Sequence, residues 1–199
     1  MRQKGGSNTF HGKNATAGKG KRSVLRSYDS LGGQIYDIRY AEEQEAKYNL
    51  ILEKIKPLLD DLVLDDGCGT GLLLQRLNSH CIGVDISHRL LSTALSGLKG
   101  KINTHLIQAD ADNLPFRSKV FHIVFAVTLI QNLPSPCQTL IEIRRVSRPD
   151  SIIIVSALKK AFSEDLFMKV VKDSGLTSIP FAQDEDLKDW LVFAKIKKN

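Results

Sequence analysis

From Leu62 to Asp85 the chain reads as a strand, a turn with glycine at alternate positions, a helix, and a second strand that ends on an acid. Leu62-Val63-Leu64 is a short apolar run bounded by acids, the pattern of a buried parallel strand. It runs into Asp65-Asp66-Gly67-Cys68-Gly69-Thr70-Gly71. Glycine at every second position removes each Cβ from one side of the turn, so a ligand can lie against the main chain. The spacing is G-x-G-x-G, which is neither the G-x-G-x-x-G of a dinucleotide site nor, with no G-K-[ST] following, a P-loop. Gly71 to Asn78 is expected to be helical and Cys81 to Val84 a strand, with Asp85 standing 14 residues beyond Gly71. A carboxylate at that strand end can accept hydrogen bonds from both hydroxyls of a ribose. It also has a structural use, as a favourable charge at the start of a helix whose N-cap is Ser87.

The alternation continues to the end of the chain. Helical spacing predicts a helix over Arg39 to Lys56, closed by Pro57, then others over His88 to Lys99, Cys137 to Val146 and from Ser163 to Gly175. Strands are expected at Thr104 to Ala109, Phe121 to Val127, Ser151 to Ala157, Leu176 to Phe181 and Trp190 to Ile196. This is an α/β pattern: a Rossmann-like, seven-stranded and mostly parallel sheet with helices on both faces and the last strand antiparallel. Ligands of such sheets bind beyond the carboxyl ends of the strands, which directs attention to the loops after Leu64, Val84, Ala109 and Val127.

The net charge of +6 is unevenly placed. Residues 1–26 hold 7 of the 28 basic residues and no acid, leaving 21 basic against 22 acidic residues in the remainder. The tail is also rich in Gly, Ser, Asn and Thr, so the division expected is a disordered basic tail over 1–27 and one folded domain over 28–199. Such a tail can contact nucleic-acid phosphates, or can simply be a solvated extension. The 3 cysteines, Cys68, Cys81 and Cys137, form no C-x-x-C pair, so neither a zinc site nor any other metal is expected, and reduced thiols suit the cytoplasm. No apolar run reaches membrane-spanning length and no secretory signal opens the chain.

Four segments in order resemble the class I S-adenosylmethionine-dependent methyltransferases. They are Asp65 to Gly71, Gly83-Val84-Asp85-Ile86-Ser87, Ala109-Asp110-Ala111-Asp112-Asn113-Leu114-Pro115-Phe116 and Phe121-His122-Ile123-Val124-Phe125. Within that class the chain is similar to the methyltransferase type 11 group, with its ubiquinone/menaquinone-biosynthesis and tRNA wobble-uridine enzymes. Ile141-Glu142-Ile143-Arg144-Arg145-Val146 resembles that group's helix before strand five. The resemblance implies S-adenosyl-L-methionine as cofactor. Asp65 would engage its amino group, and Gly67, Gly69 and Gly71 would let the main chain pass close to it. Asp85, with Ile86 beside it, would hold the ribose. Asp110 and the Ala111 N–H would read the adenine, and Val127 and Thr128 would line the methyl-transfer site. Three positions depart from the group: Asp66 replaces an apolar residue, His122 an Asp, and Arg148-Pro149-Asp150 a Lys-Pro-Gly-Gly turn. His122, at the strand end away from the site, reads as structural.

Methyl transfer from a sulfonium is an in-line displacement in which positioning supplies much of the rate, and a base is needed only if the nucleophile loses its proton early. No residue is marked as that base, and the candidates for contact with the acceptor are Thr128, Gln131 and Asn132. The last two serve equally as turn residues before Pro134. The [ND]-P-P-[YF] motif of amino-group methyltransferases is absent. Tyr28 and Tyr36, each followed by Asp, could cover the sulfonium or pack the first helix. The short loop after strand four leaves little roof over the site, which suits a large acceptor or a small activating partner protein. With the basic tail this makes RNA (tRNA or rRNA), or an RNA-associated protein, the expected acceptor. The alternatives are a small quinone-type acceptor and a non-catalytic RNA-binding or assembly module.

Overall fold

The computed structural model describes residues 33–181 and 184–197, with the side chains of residues 33–42 left aside. The basic tail over 1–27, Tyr28 and the Tyr36 side chain lie outside the described residues. The first described element is helix α1, Gly33–Lys54. It stops short of Lys56 because the residue before Pro57 is driven out of the helical region.

Seven strands form one sheet: β1 (Leu62–Asp66), β2 (His80–Asp85), β3 (Thr104–Gln108), β4 (Phe121–Ala126), β5 (Ser147–Leu158), β6 (Leu176–Ile179) and β7 (Asp189–Ile196). Their order is β3-β2-β1-β4-β5-β7-β6. The pairs from β3 to β5 are parallel, and β7 runs antiparallel to both β5 and β6. The order reverses between β1 and β4, so the crevice lies above the carboxyl ends of β1, β2 and β4.

Side chains alternate across each strand, and two cores result. Leu64, Val124, Ile153 and Val155 face helices α3 (Pro136–Val146) and α4 (Glu164–Asp173) through Leu140, Ile143, Val146, Phe167 and Val171. Val63, Ile123, Phe125 and Ile154 face α1 and α2 (His88–Gly97) through Ile51, Leu91 and Ala94. Both faces are thus covered, as a parallel sheet requires. The caps read from sequence are in place: Ser87 accepts from the Leu90 N–H and Ser163 from the Leu166 N–H.

Two local expectations need correction. The segment after the glycine turn is no α-helix but a single 3-10 turn, Leu74–Arg76. Only residues 67–79 connect β1 to β2, close to the minimum of about a dozen for a parallel crossover, so little length remains for a helix. Arg148-Pro149-Asp150 makes no turn either; it lies within β5. There the register shifts from Phe121↔Ser147 to Ile123↔Ile152, an irregularity that accommodates a proline unable to donate to the ladder.

Candidate functional site

The glycine turn is held from below by β2. The Gly67 and Cys68 N–H groups both donate to the Val84 carbonyl, at 2.8 and 2.9 Å. A Cβ on Gly83 would stand 2.6 Å from Leu74 Cδ1 and 2.9 Å from Cys68 Sγ, so only glycine in β2 lets the turn settle this closely. Gly67, Gly69 and Gly71 all have positive φ, of 81, 54 and 79°, in the left-handed region that side chains disfavour. They nevertheless do different things. Gly67 and Gly69 line the cleft, whereas Gly71 stands behind it, 3.1 Å from the Ala94 Cβ of α2 as measured from an added Cβ.

Asp85 closes β2 with both oxygens engaged: Oδ2 accepts from the Gly69 N–H at 3.0 Å and Oδ1 from the Ser87 N–H at 2.8 Å. Beyond β3, Asp110 accepts from the Asp112 N–H, and the loop to Phe116 is gripped by α3. Glu142 accepts from the Leu114 N–H at 2.8 Å, while Arg145 donates to the carbonyls of Leu114 and Phe116 at 3.0 and 2.8 Å. The two side chains pair at 2.7 Å across one helical turn, and the hydrogen bond from Arg145 holds the Glu142 carboxyl below its usual range.

The strand ends carry carboxyl groups of unusual acidity. Burial, and next the charge of Asp85, push Asp65 up to about 7. Asp66 is fully buried with neither oxygen hydrogen-bonded, and burial followed by the charges of Asp65, Asp85, Asp112 and Asp110 drives it well above the usual range. Burial likewise raises the Cys68 thiol, so it is no nucleophile at neutral pH.

One cleft brings together Gly67, Gly69, Asp85, Ile86, Asp110, Ala111 and Val127, with Thr128 and Asn132 on the same wall. Asp65, Gly71 and Gln131 are not on that wall. Asp65 shares the face of Val63 and is 4% exposed, while Asp66, one residue on, reaches the cleft. A second, smaller cleft adjoins the first across Gly67, Gly69 and Val127, and α1 closes it with Gln44 and Tyr48. His122, at the far end of β4, accepts the Leu62 N–H on Nδ1 at 2.9 Å, a strut between β4 and β1.

Residues 64–155 match the methyltransferase domain family. The chain is 33% identical over 145 residues to a malonyl-[acyl-carrier protein] O-methyltransferase of a Marinomonas strain, covering 70% of this chain and 53% of that one. It is 29% identical over 118 residues to a tRNA U34 carboxymethyltransferase of Pseudoalteromonas translucida, covering 56% and 36%. Over this stretch the chain is similar in sequence to the class I S-adenosylmethionine-dependent methyltransferases. It spans about half the length of the curated relatives it matches. Among solved structures, a putative methyltransferase from Haloferax volcanii, in complex with the Trm112 methyltransferase activator, superposes with a TM-score of 0.73. The match covers 86% of this chain and 98% of that one at 16% identity, a likeness of fold.

The loop after β4 holds a polar network that sequence reasoning missed. Thr128 has a φ of 60°, rare for a β-branched residue. Its hydroxyl accepts from Lys47 Nζ at 2.7 Å and Gln44 Nε2 at 3.3 Å, and donates to Asp189 Oδ2 at 3.2 Å. Its N–H donates to Ser156 Oγ at 2.9 Å, and its carbonyl accepts from Gln131 Nε2 and Asn132 Nδ2 at 2.6 and 3.1 Å. Lys47 and Asp189 pair at 2.8 Å with both side chains wholly buried. Lys47 sits on a helix and Asp189 opens a strand far along the chain, so nothing local marks them as partners. The only trace in the sequence is a lysine and an acid at positions whose periodicity assigns them to the core.

Proposed function

We propose that the chain binds S-adenosyl-L-methionine across the two adjoining clefts and transfers its methyl group to RNA, tRNA or rRNA, or to an RNA-associated protein. The observation that carries the cofactor half is the junction of the clefts: acids face one of them, α1 closes the other, and Gly67, Gly69 and Val127 are common to both. The donor set fits the group. The Asp85 carboxylate on the cleft wall suits a ribose diol, Asp110 and the Ala111 N–H suit an adenine edge, and Ile86 offers an apolar face beside them. The smaller cleft, with the buried and unpartnered Gln44 Oε1, suits the amino-acid end, and Asp65 lies beneath with a carboxyl poised to ionise beside a cation. The centre of the molecule then falls beside Val127. When bound, the cofactor supplies a methyl group on a sulfonium that leaves as a neutral thioether. The protein's part is to hold that methyl in line with the acceptor and keep water out.

The acceptor assignment rests on the 7 cations of residues 1–26 and on the short connection from β4 to α3, which leaves room for a large substrate. A small partner protein would extend that thin roof. A second reading is favoured by Leu129 and Leu133 on the cleft wall, which suit a small apolar acceptor of quinone type. Calorimetry with S-adenosylmethionine on the wild type tests the first half. Transfer of labelled methyl to fractionated cell RNA, protein and lipid, with and without residues 1–26, tests the second. RNA labelling that neither falls with salt nor depends on the tail removes the support for RNA.

A further inference from the structure

The ion pair of Lys47 and Asp189 is an odd way to stabilise a fold. Both side chains are fully buried, and taking two charges out of water costs several kcal/mol, which an apolar pair of the same volume avoids. What an apolar pair cannot do is grip a hydroxyl. Thr128 Oγ1 has one proton and two lone pairs, and the network uses all three, with Lys47 and Gln44 donating to it and Asp189 accepting from it. Asp189 Oδ2 also accepts from Ser156 Oγ at 2.8 Å, and Ser156 in turn holds the Thr128 N–H. The left-handed main chain of Thr128, a strained conformation for a β-branched residue, is therefore held from its side chain, its N–H and its carbonyl together.

Thr128 follows Val127, one of the residues shared by the two clefts, and precedes Leu129, Asn132 and Leu133 on the cleft wall. Its hydroxyl is spent, so what the network delivers to the cleft is the course of the main chain. Two of the tethers, Gln44 and Lys47, come from α1, the helix that closes the smaller cleft. We propose that Lys47 and Asp189 are positioning residues for methyl transfer: acting through Thr128, they set the loop from Val127 to Leu133 around the reacting methyl group and make that setting depend on α1 being docked. This rests on the seating of the cofactor proposed above.

The test uses the full chain and S-adenosylmethionine with an isotope-labelled methyl group, whose NMR resonance when bound reports its surroundings without need of an acceptor. Four variants are compared with wild type by calorimetry, thermal unfolding and this resonance: Thr128→Val, Thr128→Ser, Lys47→Met and the double variant Lys47→Met with Asp189→Leu. Thr128→Ser keeps the hydroxyl and is expected to match wild type. Thr128→Val and the double variant are expected to bind the cofactor within about threefold of wild type, yet shift and broaden the bound methyl resonance. The double variant does so while unfolding at or above the temperature of Lys47→Met alone, which separates positioning from stability. A wild-type resonance in either Thr128→Val or the double variant overturns the inference. No binding by wild type overturns the cofactor seating itself, a distinct result that takes the inference with it.

Discussion

Asp85 accepts the Gly69 N–H at 3.0 Å, so the acid that ends β2 also anchors the glycine turn that leaves β1. A ligand held by Asp85 therefore meets a turn already shaped by the same carboxylate. Asp85→Ala is expected to lower affinity for S-adenosylmethionine by about ten- to a hundredfold, or about 1.4–2.8 kcal/mol, since both a charge-assisted contact and the turn's anchor are lost. Asp85→Asn, which keeps one acceptor, should fall between. Calorimetry on the three proteins checks the order.

The glycines separate by function. An added Cβ on Gly67 would lie 2.8 Å from Leu129 Cδ1, the movable end of a side chain on the cleft wall. On Gly71 it would press on Ala94 in the core. Both have positive φ and both variants lose about 1–2 kcal/mol to backbone strain. Gly67→Ala is expected also to weaken cofactor binding, through the displaced Leu129, while Gly71→Ala shows its loss in the melting temperature. Measuring both quantities on both variants decides this.

The buried carboxyl groups give the cofactor-free protein a definite pH dependence. Asp65 has an unfolded value of 3.8 and a folded value of about 7, so between these the unfolded state has lost a proton the folded state retains. Asp65 thus makes stability fall as pH rises from 3.8 to about 7, by up to about 1.4 kcal/mol per pH unit, and its own contribution then levels off. Denaturant titrations across that range test the sign. A cation bound beside Asp65 favours its ionised form, so cofactor binding near neutral pH should release a proton, detectable by calorimetry in buffers of different ionisation enthalpy.

Asp66, buried and without a hydrogen-bond partner, is a liability to the fold. Asp66→Leu is expected to raise stability at neutral pH by about 1–3 kcal/mol, because it removes a buried polar group with no hydrogen-bond partner from among four other carboxyl groups. Thermal unfolding checks it, and a lower melting temperature would assign Asp66 a partner.

The loop from Asp110 to Phe116 depends on a pair it does not contain. Arg145→Met leaves the carbonyls of Leu114 and Phe116 without their donor. The cost to stability is expected to be modest, about 1 kcal/mol, since Arg145 is partly exposed to solvent. Affinity for S-adenosylmethionine should fall more than that, because the loop carrying Asp110 and Ala111 loses its template. Calorimetry beside thermal unfolding compares the two.

Much of the architecture is legible in the residues themselves. Leu62 to Asp85 shows strand, glycine turn and terminal acid in order, and Ser87 and Ser163 announce the helices they cap. The expected helix after Gly71 failed because apolar spacing in Leu72-Leu73-Leu74 says nothing of how little chain is left before β2. The Arg148-Pro149-Asp150 turn failed because proline marks an irregularity in a strand as readily as a turn, and only pairing with β4 decides between them.

By itself, the sequence determined what is local: alternating strands and helices, glycines at alternate positions in one turn, and acids at successive strand ends. Periodicity and turn chemistry act over a few residues, so they can be read without knowing the fold. Only the tertiary structure decided which of those residues share a cleft, sending Asp66 to its wall and leaving Asp65 and Gly71 behind it. It alone paired Lys47 with Asp189 around Thr128, because the pair forms only when α1, β5, β7 and the loop after β4 have packed together and excluded water from two opposite charges.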